Sequence, residues 1–148
     1  MKDSLRAGIE HELRFRVPPS KTVPMLYLEA AEFQKMPKVF ATGFLIGLIE
    51  WTCIQAIIPH IDWPNEQSVG IHVNLSHEAA TPPGMEVIIR AKLISVVGRK
   101  LVFEIEANDD VDVISRGTHE RFIIDPARFS QKANQKAEIR EPKLQLKR

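Results

Sequence analysis

The stretch FATGFLIGLIEWTCIQAII, Phe40 to Ile58, is apolar or small at nearly every position and holds a single charged residue, Glu50. Its length sits at the margin of a bilayer span, which takes about 20 residues. Glu50 near its centre, Thr52 and Gln55 close by and Pro59 at its end argue instead for a helix buried in a soluble domain. No second run of this kind follows, and the downstream segments alternate as soluble strands do. An isolated ionised carboxylate is costly in apolar surroundings, so Glu50 calls for a partner, a shifted pKa or a chemical task.

The rest of the chain supplies what such a helix needs. At 148 residues it is long enough for one domain with its own core. Glu10 to Val17 alternates, with Leu13, Phe15 and Val17 on one face, and the prolines of PPSKTVP then break regular structure. Met25 to Lys38 mixes apolar Leu26, Phe33 and Met36 with charges and reads as a short helix or a lid-like loop. The helix itself is expected from about Gly43 to Ile58. Gly43, Gly47 and Glu50 share a stripe there, which reads as a close approach of helix and sheet.

Four strands are expected next. In the first, Val69, Ile71, Val73, Leu75 and His77 would point inward, with Gly70, His72, Asn74 and Ser76 on the other face. A turn at Pro82-Pro83-Gly84 leads to a long strand from Met85 to Val97, and Gly98-Arg99-Lys100 makes a hairpin. Leu101, Phe103, Ile105 and Ala107 form the inner side of the third strand, and Ile114 to Ile124 gives the last. A strand, a lid, one apolar helix and a run of antiparallel strands make an α+β domain whose sheet wraps the helix. Residues 1–129 are assigned to this domain and 130–148 to a basic tail, frayed helix or disordered. From Arg128 to Arg148 there are seven basic and two acidic residues, net +5, leaving −4 for the remainder. That tail is a solvated terminus or a contact for phosphates. The overall charge of +1 gives no general attraction to nucleic acid or membrane. One cysteine, Cys53, allows no intramolecular disulfide, and the first residues lack the apolar core of a signal peptide, so a cytoplasmic protein is expected.

Metal chemistry finds little support. His72 and His77 are five apart in a strand and point to opposite faces, and neither HxxxH nor a thiolate cluster occurs. Phosphate-cradling loops and the GxSxG elbow are also missing. What stands out is an inward histidine, His77, facing a helix that carries Glu50. Two readings stay open: an acid–base pair, or a strand-end histidine beside a structural acid. Thr42 adds a hydroxyl just before the helix, separated from Glu50 by an axial rise of roughly 12 Å.

Three segments, VFATGFLIGLIEW, HEAATPPG and SRGTHERFII, closely resemble the hotdog-fold thioesterase family that includes the fluoroacetyl-CoA thioesterases. The likeness runs in register from about Met1 to Phe129. It implies a homodimer with sites at the subunit interface that hydrolyses a small acyl-CoA with no metal and no cofactor of its own. The catalytic threonine, glutamate and histidine of the family fall on Thr42, Glu50 and His77. The resemblance further implies that Gly70 lies near the thioester, that Arg121 contacts the acyl end, and that Val23, Leu26, Phe33 and Met36 form the lid. Where the fluoroacetyl-specific enzyme has a pair of phenylalanines, this chain keeps Phe33 and has Met36, a flexible side chain without a rigid aromatic face. Two other classes stand beside this one: a non-catalytic acyl-CoA binding module, and a hotdog lyase or dehydratase. The latter would use an Asp/His pair on a differently placed helix, and no such pair is seen here, since Asp62 lies past the helix.

Overall fold

The structure, a computed structural model, describes the backbone of residues 1–145 and the side-chain surroundings of residues 1–140; the last residues of the expected tail, 146–148, lie outside the described residues. Five strands form one antiparallel sheet: β1 (Glu10–Arg16), β2 (Gln67–Leu75), β3 (Glu86–Val97), β4 (Lys100–Asn108) and β5 (Val113–Ile124). Their order across the sheet is β1-β3-β4-β5-β2, so β1 and β2 are its edges. Among the described residues three α-helices accompany them: α1 (Ala31–Gln34), α2 (Thr42–Ile57) and α3 (Pro126–Gln145).

The apolar run is α2, and it packs against β1 and β3. Leu45, Ile49, Cys53 and Ile57 recur at every fourth residue and are all buried, as one helical face demands. They join Val87, Ile89 and Leu93 of β3 and Leu101, Phe103 and Ile105 of β4 in the core. Each such side chain stabilises the fold by about 1.5–3 kcal/mol through burial. The inward set expected on β4 is therefore the observed one, and Leu13 and Phe15 of β1 pack on the same core.

Two expectations are corrected. The glycines of the stripe, Gly43 and Gly47, do not press on the sheet, and of the three only Glu50 reaches it, at Arg121 of β5. A Cβ on Gly47 would meet nothing within 4 Å, and one on Gly43 would touch the Leu26 side chain. The helix turns these two glycines away from the core. On β2 the expected alternation holds at Val73 and Leu75 but is reversed before them, because the register against β5 shifts between Gly70 and His72. Ile71 is the extra residue of a bulge, and one extra residue reverses which side chains face the helix. Gly70 stands opposite Arg121 and Val73 opposite His119, so Gly70 and Val73 point inward. Ile71 does not, and it is 49 % exposed.

α3 leaves the end of β5 as a regular helix with its side chains exposed from residue 127 through residue 140.

Candidate active site

Two clusters of polar side chains sit along α2, one at its first residue and one near its middle. The first lies where the helix begins. Ala41 is in extended conformation, no side chain caps the helix, and Thr42 is its first residue. The first-turn N–H groups therefore have no side-chain acceptor, and the helix start is electropositive. His77, two residues beyond β2, meets Thr42 there: Oγ1 and Nδ1 are 2.7 Å apart. The Nε2 atom of His77 is buried without a hydrogen-bond partner. Burial holds the His77 imidazole below its ordinary pKa of 6.5, so the ring is a neutral base near neutral pH. A hydroxyl within hydrogen-bond reach of a neutral imidazole is the arrangement of an activated nucleophile and its general base.

The second cluster contains Glu50, two turns further along α2. Its Oε1 accepts from Arg121 Nη1 at 3.1 Å. This answers the question the apolar run poses: the carboxylate is 39 % exposed and ion-paired. The guanidinium, only 3 % exposed, is held on other sides as well. Nε donates to Ser68 Oγ at 2.8 Å, Nη2 to the Ser68 carbonyl at 2.8 Å, and Nη1 also points at His119 Nε2 at 3.1 Å. Gly70 closes the cluster, since a Cβ there would fall 2.5 Å from Glu50 Oε1 and 3.2 Å from His119 Cε1. Cys53, buried beside this group, has its thiol pushed up to about 12 by burial, so it is no nucleophile.

The residues singled out from sequence thus fall into two groups. Thr42 and His77 are brought together, and so are Glu50, Gly70 and Arg121. The direct pairing of Glu50 with His77 expected from their inward placement is not found, because their partners in this chain are Arg121 and Thr42. On β5 the arginine is buried while its apolar neighbour Phe122 is 37 % exposed. Of the residues expected to form a lid, Leu26 lies over Gly43 beside Thr42, Phe33 packs at 6.2 Å against Tyr27, Val23 is half-buried in a short turn and Met36 is exposed. Ser68 and His119 were missed by sequence reasoning. The signal was present: His119 and Arg121 are two apart in a strand and must share a face. Among the described residues no group of three or more metal-ligating side chains occurs.

The family model for FlK, fluoroacetyl-CoA-specific thioesterase, matches residues 23–127. The fluoroacetyl-CoA thioesterase of Streptantibioticus cattleyicolor is 48 % identical over 136 residues, covering 92 % of this chain and 97 % of that one. A solved structure of fluoroacetyl-CoA thioesterase FlK superposes with a TM-score of 0.87 at 47 % identity, covering 90 % of this chain and 98 % of the other. A threonine-to-alanine mutant of that enzyme in complex with fluoroacetate matches with a TM-score of 0.86 at 46 % identity, covering 89 % and 98 %. At 15 % identity, a hot-dog-like protein from Thermanaerovibrio acidaminovorans shares the fold alone, with a TM-score of 0.73 over 88 % of this chain and 91 % of that one. With the hotdog architecture, the match across the family model and the identity along nearly the whole chain, this protein belongs to the FlK family of acyl-CoA thioester hydrolases.

Proposed function

We propose that this chain hydrolyses a small acyl-CoA in a homodimer, with Thr42 and His77 of one copy and Glu50, Gly70 and Arg121 of the other around each thioester. The observation that carries this reading is the separation of the two clusters. Thr42 and Glu50 are roughly 12 Å apart along α2. Gly70 and His77 are roughly 20 Å apart along an extended chain. One copy cannot close them on a single carbonyl, and His77 Nε2 is left buried without a partner.

The free edge of β2 supports the same reading. It is nine residues long, with Ile71 and Val73 exposed and neither lysine nor proline to protect it. Antiparallel pairing of two such edges about a twofold near Val73 and Asn74 sets residues near 70 of one copy beside residues near 77 of the other. The outward stripe of α2, with Gly43, Gly47 and the exposed Trp51, would then face the second copy and the substrate.

In this arrangement Thr42 donates its proton to His77 as Oγ1 attacks the acyl carbonyl, and CoA leaves as the thiol after taking that proton. Water then cleaves the acyl-threonine and regenerates the hydroxyl. The uncapped N–H groups at the start of α2 stabilise the oxyanion in both steps. Glu50, held by Arg121, lies on the far side to orient His77 or the hydrolytic water. The reaction needs no cofactor, and the free thiol of Cys53 suits a reducing compartment such as the cytoplasm. Met36 in the lid favours small acyl groups without strict selection for fluorine.

Thiol release from acetyl-, propionyl- and fluoroacetyl-CoA tests the activity. Rapid-quench mass spectrometry tests the route: an acylated peptide containing Thr42 is expected, and turnover with no such species would overturn the covalent step.

A further inference from the structure

His119 is fully buried and carries no role in the scheme above, yet both its ring nitrogens are engaged. Nδ1 lies 2.9 Å from the backbone carbonyl of His72, and Nε2 lies 3.1 Å from Arg121 Nη1. A carbonyl only accepts and a guanidinium only donates, so the two partners together fix the ring. Nδ1 carries the proton, Nε2 offers its lone pair, and the imidazole is neutral. We propose that His119 is a positioning residue that aims Arg121, and through it the carboxylate of Glu50, by accepting one of the two hydrogens on Nη1.

The geometry of the guanidinium carries the argument. Nη1 has two N–H bonds at a fixed angle in the plane of the group. With one directed at His119 Nε2, the other is directed at Glu50 Oε1, at 3.1 Å. Ser68 holds Nε and Nη2, which sets the plane, while His119 sets the end that meets Glu50. His119 is itself braced across the sheet, opposite Phe103 of β4 and Val73 of β2. Its contact with the His72 carbonyl falls at the bulge, so the irregularity of β2 and the aim of Arg121 are one structural unit. His119 comes no closer than 4.0 Å to Glu50 Oε1 through Nε2, so it acts through the arginine.

The inference rests on Glu50 taking part in hydrolysis, so the test carries Glu50→Gln beside three variants of His119. Glutamine places an amide oxygen near the Nε2 position and can accept from Arg121. Asparagine reaches only the Nδ1 position, and phenylalanine keeps the volume and reaches neither. Expected is a kcat within about threefold of wild type for His119→Gln and a fall of about 30-fold for His119→Asn and His119→Phe, with KM for acyl-CoA nearly unchanged. A merely structural histidine would give losses that follow thermal stability and no rescue by glutamine. Should the phenylalanine variant not fold, the glutamine–asparagine comparison decides alone. Wild-type turnover in Glu50→Gln would remove the role of Glu50 and this inference with it. An inactive Glu50→Gln beside a fully active, folded His119→Phe would overturn the inference alone. Independently of activity, the imidazole 15N spectrum of the wild-type protein is expected to show a neutral His119 protonated at Nδ1; protonation at Nε2 would contradict it.

Discussion

Replacing Gly70 with alanine puts a methyl carbon where the Glu50 carboxylate now rests. The new atom would stand 2.5 Å from Glu50 Oε1 and 3.4 Å from Arg121 Nη1. To regain van der Waals distance the carboxylate must retreat by roughly 1 Å. Its bond to Arg121, 3.1 Å long, leaves little slack for that movement. A buried charge-assisted hydrogen bond is worth about 1.5–3 kcal/mol. Glu50 is 39 % exposed, so screening by water reduces the loss to about 1 kcal/mol. Restricting the unfolded chain by the glycine-to-alanine change returns about 0.4–1 kcal/mol, and net stability barely moves. Activity should respond far more strongly, since a displacement of this size costs about 100-fold in turnover. The assay pairs urea unfolding with thiol release from acetyl-CoA. A folded variant with a near-wild-type unfolding midpoint and a kcat down by two orders of magnitude is expected. Wild-type kcat in the folded variant would refute the reasoning, because it would mean that the position of Glu50 does not matter.

Four further outcomes are expected. Gly117 has a φ of +143°, and a Cβ there would collide with the Asn74 carbonyl on β2, so Gly117→Ala should lower stability by about 1–3 kcal/mol in urea unfolding. Burial depresses the pKa of both His77 and His119, with the Arg121 charge adding to the effect at His119. Their contribution to stability is intact above the ordinary histidine value of 6.5 and is lost as pH falls through the depressed folded values, so the urea midpoint should drop between pH 7 and pH 5. The buried Cys53 should stay unreactive to a thiol reagent in the native protein and react at once in guanidinium chloride. Met36→Phe should raise the ratio of kcat/KM for fluoroacetyl-CoA over acetyl-CoA, measured by thiol release, by supplying an aromatic face to the lid.

Much of the fold could be read from the residues because two periodicities were strong. The apolar run could hide its Leu45–Ile49–Cys53–Ile57 face only as a buried helix. Leu101, Phe103, Ile105 and Ala107 fixed the inner side of their strand. The phase of β2 was not readable, since a bulge at Ile71 leaves no local mark among valines and isoleucines that suit either face. The partner of Glu50 was hidden for a related reason. Arg121 looks like a surface residue beside Phe122, and only the three-dimensional set of Ser68, His119 and Glu50 makes its burial affordable to the fold. The outward stripe of Gly43 and Gly47 was misread because a close approach was sought within one chain, whereas the open space beside Gly47 lies on the side turned away from the sheet.

The most direct test of the proposed shared site is a mixed dimer. Thr42→Ala and Glu50→Gln chains, each expected to be inactive alone, are co-expressed with different tags and purified in tandem as the heterodimer. If each site draws Thr42 from one copy and Glu50 from the other, one of the two sites is intact and turnover returns to about half the wild-type value per dimer. If a single chain supplies both residues, every site in the heterodimer carries a defect, and the absence of turnover would contradict the account.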